Sequence, residues 1–202
     1  ILKSTGASGV VRKGDGVQII YGPRVTVIKS DLEDYLESIP EEGINTKESI
    51  KTVVVSSPMD GVAAALSEAP DEAFAKGMMG EGAIVTPADA YVRAPEDGEV
   101  GFVFDTGHAV GFTTDSGVSL LIHVGIDTVK LGGKGFDILA GSGQKVKKGE
   151  PLLKLDLTYL NENVPSMASP IVCTELDDSG SVRLIREGKI KAGEPLLEIT
   201  LQ

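Results

Sequence analysis

Only two histidines occur in the 202 residues, and both fall within one short stretch. One sits in Asp105-Thr106-Gly107-His108-Ala109-Val110. The other sits in Leu120-Leu121-Ile122-His123-Val124-Gly125-Ile126-Asp127-Thr128. An imidazole can act as a nucleophile, a general base, a hydrogen-bond donor or a metal ligand near neutral pH. Inside an apolar run such as Leu120 to Val124, a charged imidazole loses its hydration, and only a specific role or partner offsets that loss. Spacing alone leaves two readings. Either the imidazoles form one site, or His123 is a core histidine satisfied by backbone groups and His108 a surface loop residue.

The elements that would position them can be read from the intervening residues. Thr114-Asp115-Ser116-Gly117 is a turn signal between two apolar stretches, Ala109 to Thr113 and Val118 to Val124. If these pair as a hairpin, both imidazoles come to neighbouring positions at one end of the ladder. On either side of this hairpin, the sequence repeats itself loosely. Ser57-Pro58-Met59-Asp60-Gly61-Val62 returns as Ala94-Pro95-Glu96-Asp97-Gly98-Glu99-Val100, and the stretch Val146 to Leu155 returns as Ile190 to Ile199, each with Gly-Glu-Pro-Leu-Leu at its centre. Each unit is a turn feeding a short apolar strand, and pairing two copies buries faces that one would leave wet. The expected fold is therefore mainly β, an antiparallel two-sheet sandwich with internal pseudo-duplication. Helical spacing is confined in this region to Pro70–Met79 and Gly135–Ala140.

The first 39 residues read as a small α+β piece. Gly9 to Arg12 and Val17 to Tyr21 form a hairpin around Gly14 and Gly16. A helix follows, with Ser30 and Glu33 in capping-box spacing and Ile28, Leu32, Tyr35, Leu36 and Ile39 on one face. Residues 40–51 are polar and lack either periodicity, which reads as a linker, with the main domain over 52–202.

Composition narrows the function classes. Nineteen Lys and Arg against 30 Asp and Glu give a net charge of −11, which repels phosphate backbones, so nucleic acid is not an expected partner. One cysteine, Cys173, cannot form an internal disulfide, and its Ile171-Val172 context reads as a buried thiol. The apolar run Leu120 to Ile126 is far short of the ~20 residues of a membrane helix. The opening on Ile1 without an initiator Met or a signal-peptide pattern reads as a fragment of a longer chain.

Thirteen consecutive residues, Gly117 to Val129, resemble the phosphohistidine signature of the glucose-type enzyme IIA domains of the bacterial phosphoenolpyruvate-dependent sugar phosphotransferase system. The similarity extends over about Thr52 to Gln202, through Ala94-Pro95 with Asp97-Gly98, Asp105-Thr106 with His108-Ala109, and Gly143 to Lys147 with Gly149. The resemblance implies a barrel-sandwich hybrid fold and a phosphotransferase with no cofactor and no metal. His123 would accept a phosphoryl group from the histidine-containing phosphocarrier protein and pass it to a cysteine of an enzyme IIB domain. It further implies that the backbone carbonyl of Gly125 fixes the His123 tautomer. His108, oriented by the Thr106 hydroxyl, would donate to the phosphoryl oxygens. By position in the family pattern, Phe74, Met78, Met79, Phe104 and Val129 are candidates for the rim of an apolar docking patch, with Asp71 and Asp127 supplying negative charge. The other reading of these apolar residues is ordinary core packing. Glu72 and Ala73 stand where the family often has apolar residues, and Met78 and Met79 where it has aliphatic ones.

Leu2 to Val11 and Val17 to Pro23 resemble the C-terminal part of an enzyme IIB domain, whose phosphocysteine would lie upstream. The parent would then be a fused permease containing a membrane enzyme IIC domain, with this soluble portion at the cytoplasmic side of the bacterial inner membrane. Residues 1–39, lacking the other IIB strands, would fold poorly alone or pack against another surface. Two rivals remain on the residues themselves. A zinc hydrolase of duplicated β architecture would need ligands beyond the two histidines, and neither His-x-His nor His-Glu-x-x-His occurs. A biotinyl or lipoyl carrier is suggested by Gly143 to Leu152, but no Met-Lys-Met is present and Lys130 is a weak substitute.

Overall fold

Alternating short apolar segments and glycine turns produce an almost wholly antiparallel β protein, seen in a computed structural model that describes residues 9–13, 16–20, 51–176 and 179–201. The chain divides into two units, 1–48 and 49–202. In the first, β1 (Gly9–Lys13) and β2 (Gly16–Ile20) pair antiparallel with Gly9 opposite Ile20. The expected helix around Ser30 to Ile39, the turn glycine Gly14 and most of the linker lie outside the described residues.

The second unit begins with β3 (Lys51–Ser56) and β4 (Gly61–Ala65), then a four-residue helix α1 (Glu72–Ala75). The strands β5 (Glu81–Pro87), β6 (Tyr91–Arg93), β7 (Gly98–Val103), β8 (Ala109–Thr114) and β9 (Ser119–His123) follow. After them come β10 (Phe136–Ile138), β11 (Lys145–Val146), β12 (Pro151–Leu155), helix α2 (Leu157–Asn163) and β13 (Ser169–Cys173). The unit ends with β14 (Ser181–Leu184), β15 (Gly188–Ile190) and β16 (Pro195–Leu201). One eight-stranded sheet runs β11-β7-β8-β9-β13-β5-β4-β15; two three-stranded sheets run β10-β12-β6 and β14-β16-β3. What was expected as a second sheet is thus split in two. The main core draws Phe112, Leu120, Ile122 and Ile171 from the large sheet, Leu152 and Leu153 from one small sheet, and Leu196, Leu197 and Ile199 from the other. Each such buried side chain contributes about 1.5–3 kcal/mol.

The duplicated sequence units have a shared physical job. Asp60 Oδ1 accepts the backbone N–H of Ala192 at 2.7 Å, and Asp97 Oδ1 accepts that of Lys148 at 2.9 Å. The backbone N–H of Ser57 bonds the Glu194 carbonyl as that of Ala94 bonds the Glu150 carbonyl, both at 2.8 Å. The reciprocal bonds, Gly193 to Ser57 and Gly149 to Ala94, are both 2.9 Å. Each Pro-x-Asp-Gly turn therefore clasps the Lys-x-Gly-Glu hairpin far along the chain. Glycine is required after each aspartate because a Cβ at Gly61 or Gly98 would lie 2.1 or 2.2 Å from the facing carbonyl oxygen of Thr86 or Thr113.

Two local expectations need correction. Gly135–Ala140 is not helical: Gly135 turns at φ +88°, and Phe136–Ile138 pairs with β12 instead, because Asp137 lies between apolar residues in a period of two. Within Pro70–Met79 only Glu72–Ala75 is helical, started by the Asp71 cap and stopped at Gly77, φ +67°. Helix α2 was not anticipated, although Asp156 caps it through the Tyr159 N–H and Leu157, Leu160 and Val164 carry helical spacing.

Candidate functional site

The hairpin of β8 and β9 builds the site from its turn. Gly117, at φ +90°, donates to the Thr114 carbonyl at 2.9 Å, and the Thr114 hydroxyl accepts the Val118 N–H at 2.9 Å. That closure sets the register, with Thr113 opposite Ser119 and Ala109 opposite His123. The Val124 N–H continues the ladder to the His108 carbonyl at 2.8 Å. The two imidazoles accordingly stand with ring centroids 5.0 Å apart and planes at 76°. Strand β9 is covered on both faces: Leu120 and Ile122 enter the main core, while Leu121 joins a smaller apolar cluster with Leu66, Phe74, Ala109 and Ile126. His123 emerges at the edge of that second cluster.

Each ring is held through Nδ1. His123 Nδ1 lies 2.8 Å from the Gly125 carbonyl oxygen, which can only accept, so Nδ1 carries the proton and Nε2 keeps its lone pair. His108 Nδ1 lies 2.5 Å from the Thr106 hydroxyl. A tight turn, closed by the Gly107 N–H on the Phe104 carbonyl at 2.7 Å, brings that threonine back to the ring. When the hydroxyl donates into Nδ1, His108 Nε2 is left protonated as a donor. Phe74 packs 5.3 Å from His123 and Phe104 5.0 Å from His108, giving a row of four rings.

Burial pushes both imidazoles below their ordinary pKa. His108, 5% exposed, is depressed by desolvation and then by the neighbouring His123. His123 is depressed by desolvation, opposed by the Gly125 carbonyl and the Asp71 carboxylate. Both rings are neutral at pH 7. The unfolded histidines protonate near about 6.5 while the native ones resist, so this contribution to stability is full above that pH and is lost as pH falls through the lower native values.

The remaining sequence-derived residues are distributed unevenly. Met78 (74% exposed), Met79, Phe104 and Val129 present apolar surface. Phe74 differs from them: it is 8% exposed, because it serves as the apolar support against His123 and as part of the smaller cluster, so it offers a docking partner little surface. Asp71 accepts the N–H groups of Ala73 and Phe74 as the α1 cap, at 2.9 and 3.3 Å. Asp127 pairs with Lys130 at 2.7 Å and adopts φ +62°. Sequence reasoning missed Phe102, half exposed, which meets Phe104 edge-on at 5.5 Å and lies across Gly111, where a Cβ would sit 2.2 Å from its ring. The alternation of Phe102 and Phe104 was the available signal. Cys173 is buried in β13 and its thiol is pushed up by desolvation. No group of three or more His, Cys, Asp or Glu placed to hold a metal is assembled among the described residues.

Gly125 is constrained both by its backbone conformation and by its neighbours. It sits at φ +65°, and a Cβ there would lie 2.9 Å from Thr128 Cγ2 and 3.1 Å from the Ser166 carbonyl oxygen. Gly125→Ala should lose about 1–3 kcal/mol in urea unfolding. It should also displace the carbonyl from His123 Nδ1, read as a change in the imidazole nitrogen resonances.

The family described as phosphoenolpyruvate-dependent sugar phosphotransferase system, EIIA 1, matches residues 53–179. Two similar proteins come from Staphylococcus carnosus (strain TM300). A PTS system glucose-specific EIICBA component is 39% identical, covering 97% of this chain and 31% of that one. A PTS system glucoside-specific EIICBA component is 38% identical, covering 97% and 30%. The chain thus spans about a third of the length of these relatives. Among solved structures, glucose permease IIA from Mycoplasma capricolum superimposes with a TM-score of 0.69 at 35% identity, over 73% of this chain and 96% of that one.

Proposed function

The chain belongs to the EIIA 1 family of the phosphoenolpyruvate-dependent sugar phosphotransferase system, and on that premise we propose that His123 is a temporary phosphoryl carrier. The observation that carries this reading is the Nδ1–H of His123 held by the Gly125 carbonyl, which leaves Nε2 as a lone-pair nucleophile beside a second imidazole. The donor is the histidine-containing phosphocarrier protein. Its nitrogen–phosphorus bond breaks as His123 Nε2 bonds phosphorus, and the electron pair returns to the donor imidazole. The acceptor is an enzyme IIB cysteine: its thiolate bonds phosphorus while the Nε2–phosphorus bond breaks and His123 regains its lone pair. Little covalent work falls to the protein, so its contribution is alignment and stabilisation of charge on the equatorial oxygens.

His108 supplies that stabilisation. With Thr106 donating into Nδ1, His108 Nε2–H is a fixed donor for a phosphoryl oxygen. Phe74 and the apolar cluster behind it keep water from the far side of His123, which slows hydrolysis of the phosphoimidazole. Exposed Met78, Met79, Phe104 and Val129 form the docking surface for donor and acceptor in turn, with Asp71 and Asp127 attracting basic partner residues. Residues 1–39 are the C-terminal part of an enzyme IIB domain and 40–51 a linker. The two Staphylococcus carnosus relatives, matched over 97% of this chain, are EIICBA components, which supports a parent permease with a membrane IIC domain at the bacterial inner membrane. Among the described residues no helix is long and apolar enough to cross a membrane.

Incubation with phosphoenolpyruvate, enzyme I and the phosphocarrier protein should place one acid-labile phosphate on the chain; no label would overturn the proposal. Its pH dependence follows from burial. A protonated imidazole has no lone pair at Nε2, and His123 resists protonation. With purified phosphorylated carrier as donor, the acceptance rate constant should fall on acidification with a midpoint below the ordinary histidine value of about 6.5. A midpoint at or above the ordinary histidine value would contradict the proposed environment.

A further inference from the structure

The carbonyl that holds His123 belongs to a glycine, the residue least able to hold its own conformation. Its accuracy must come from elsewhere. Thr128 and Ser169 are both fully buried. The Thr128 hydroxyl donates to the Val124 carbonyl at 2.7 Å, and the Ser169 hydroxyl accepts the Gly125 N–H at 3.1 Å while donating to the Met167 carbonyl at 2.9 Å. These two hydroxyls grip the two ends of a single peptide unit, Val124–Gly125. On the far side of the glycine, the Ile126 N–H bonds the Ser166 carbonyl at 2.8 Å. Ser169 is itself fixed in β13, opposite Val85 of β5.

We propose that Thr128 and Ser169 are positioning residues for phosphoryl transfer, clamping the Val124–Gly125 peptide so that the Gly125 carbonyl keeps His123 in its Nδ1–H tautomer. The inference rests on the carrier role given to His123 above. Neither hydroxyl touches the imidazole or the phosphoryl group. Removing either leaves one polar backbone group of the peptide buried without its partner. The peptide then rotates to recover a bond, and the carbonyl leaves Nδ1. The proton is thereby free to move to Nε2, the atom that must attack.

The test compares the intact chain with Thr128→Val, Ser169→Ala and Thr128→Ser. Imidazole nitrogen NMR reads the His123 tautomer without any phosphoryl chemistry, and single-turnover labelling from purified phosphorylated carrier reads the rate. Thr128→Val and Ser169→Ala should move His123 towards Nε2–H and slow acceptance on the order of 10-fold at saturating donor, leaving half-saturation unchanged. Thr128→Ser keeps the hydroxyl and should restore both readouts. The hydroxyls come from different segments and Ser169→Ala removes a single atom, so a folded variant is available whichever side tolerates change less. An unaltered tautomer in the folded variants overturns the clamp, as does a slower rate with the tautomer intact. Failure of the unsubstituted chain to accept phosphate would instead overturn the carrier role, with the tautomer comparison still deciding the clamp.

Discussion

His123→Gln should abolish acid-labile labelling altogether while leaving the fold in place. Glutamine approximates the reach of the imidazole and can hydrogen-bond, but its amide nitrogen donates its lone pair into the carbonyl and does not attack phosphorus. The ring is only partly buried at the end of β9, and Phe74 beside it is anchored by the rest of its cluster, so unfolding in urea should change by little. No other histidine can take over, because His108 Nε2 is the protonated nitrogen when Thr106 donates to Nδ1. Phosphoenolpyruvate-dependent labelling, followed by acid treatment, checks this. Equal labelling of the variant would refute the assignment of the carrier.

His108→Gln should divide the reaction into two unequal halves. In the proposed reaction, acceptance uses a neutral nucleophile, His123 Nε2, so little charge is added as the new bond forms. Onward transfer brings a thiolate against an already anionic phosphoryl group, and the crowding of negative charge is greater. A fixed donor is therefore worth more in the second half. Loss of one preorganised donor of this kind costs about 10²–10³ in rate, and that loss should fall on delivery to the IIB cysteine, with acceptance much less affected. Pre-labelled variant mixed with an enzyme IIB domain gives the delivery rate directly. A larger loss on the acceptance side would mean that His108 acts before the phosphoryl group arrives and does not serve as its hydrogen-bond donor.

The hairpin that joins the histidines was readable because its information is local. Thr114-Asp115-Ser116-Gly117 fixes the turn, the turn fixes the register, and the register brings residues 108 and 123 together. The repeated Asp-Gly and Gly-Glu-Pro units likewise marked an internal duplication before any pairing was known. What could not be read depends on contacts between distant segments. Phe74 has the composition of a surface anchor on a short helix, yet the packing of that helix against β5 and β9 residues turns it inward. Ser169 resembles any serine before a strand; its importance arises from a bond to Gly125 across 44 positions. Gly135–Ala140 was misread because strand pairing with β12 outweighed a weak local preference, whereas α2 had a cap and a helical stripe that were present but overlooked.

The clasp between the duplicated turns carries a cost in time. Asp60 meets its partner at Ala192, 132 positions away, and strand β3 lies beside β16 at the far end of the domain. At about 5–20 residues per second, a ribosome that has just released β3 needs on the order of 10 s more to deliver its neighbour. Throughout that interval Val53 and Val55 have nowhere to go. Contacts this distant also make spontaneous folding slow compared with that of helical proteins of the same size. Until β16 is made, β3 stays an unpaired apolar edge, the kind of exposed segment on which newly made β proteins aggregate.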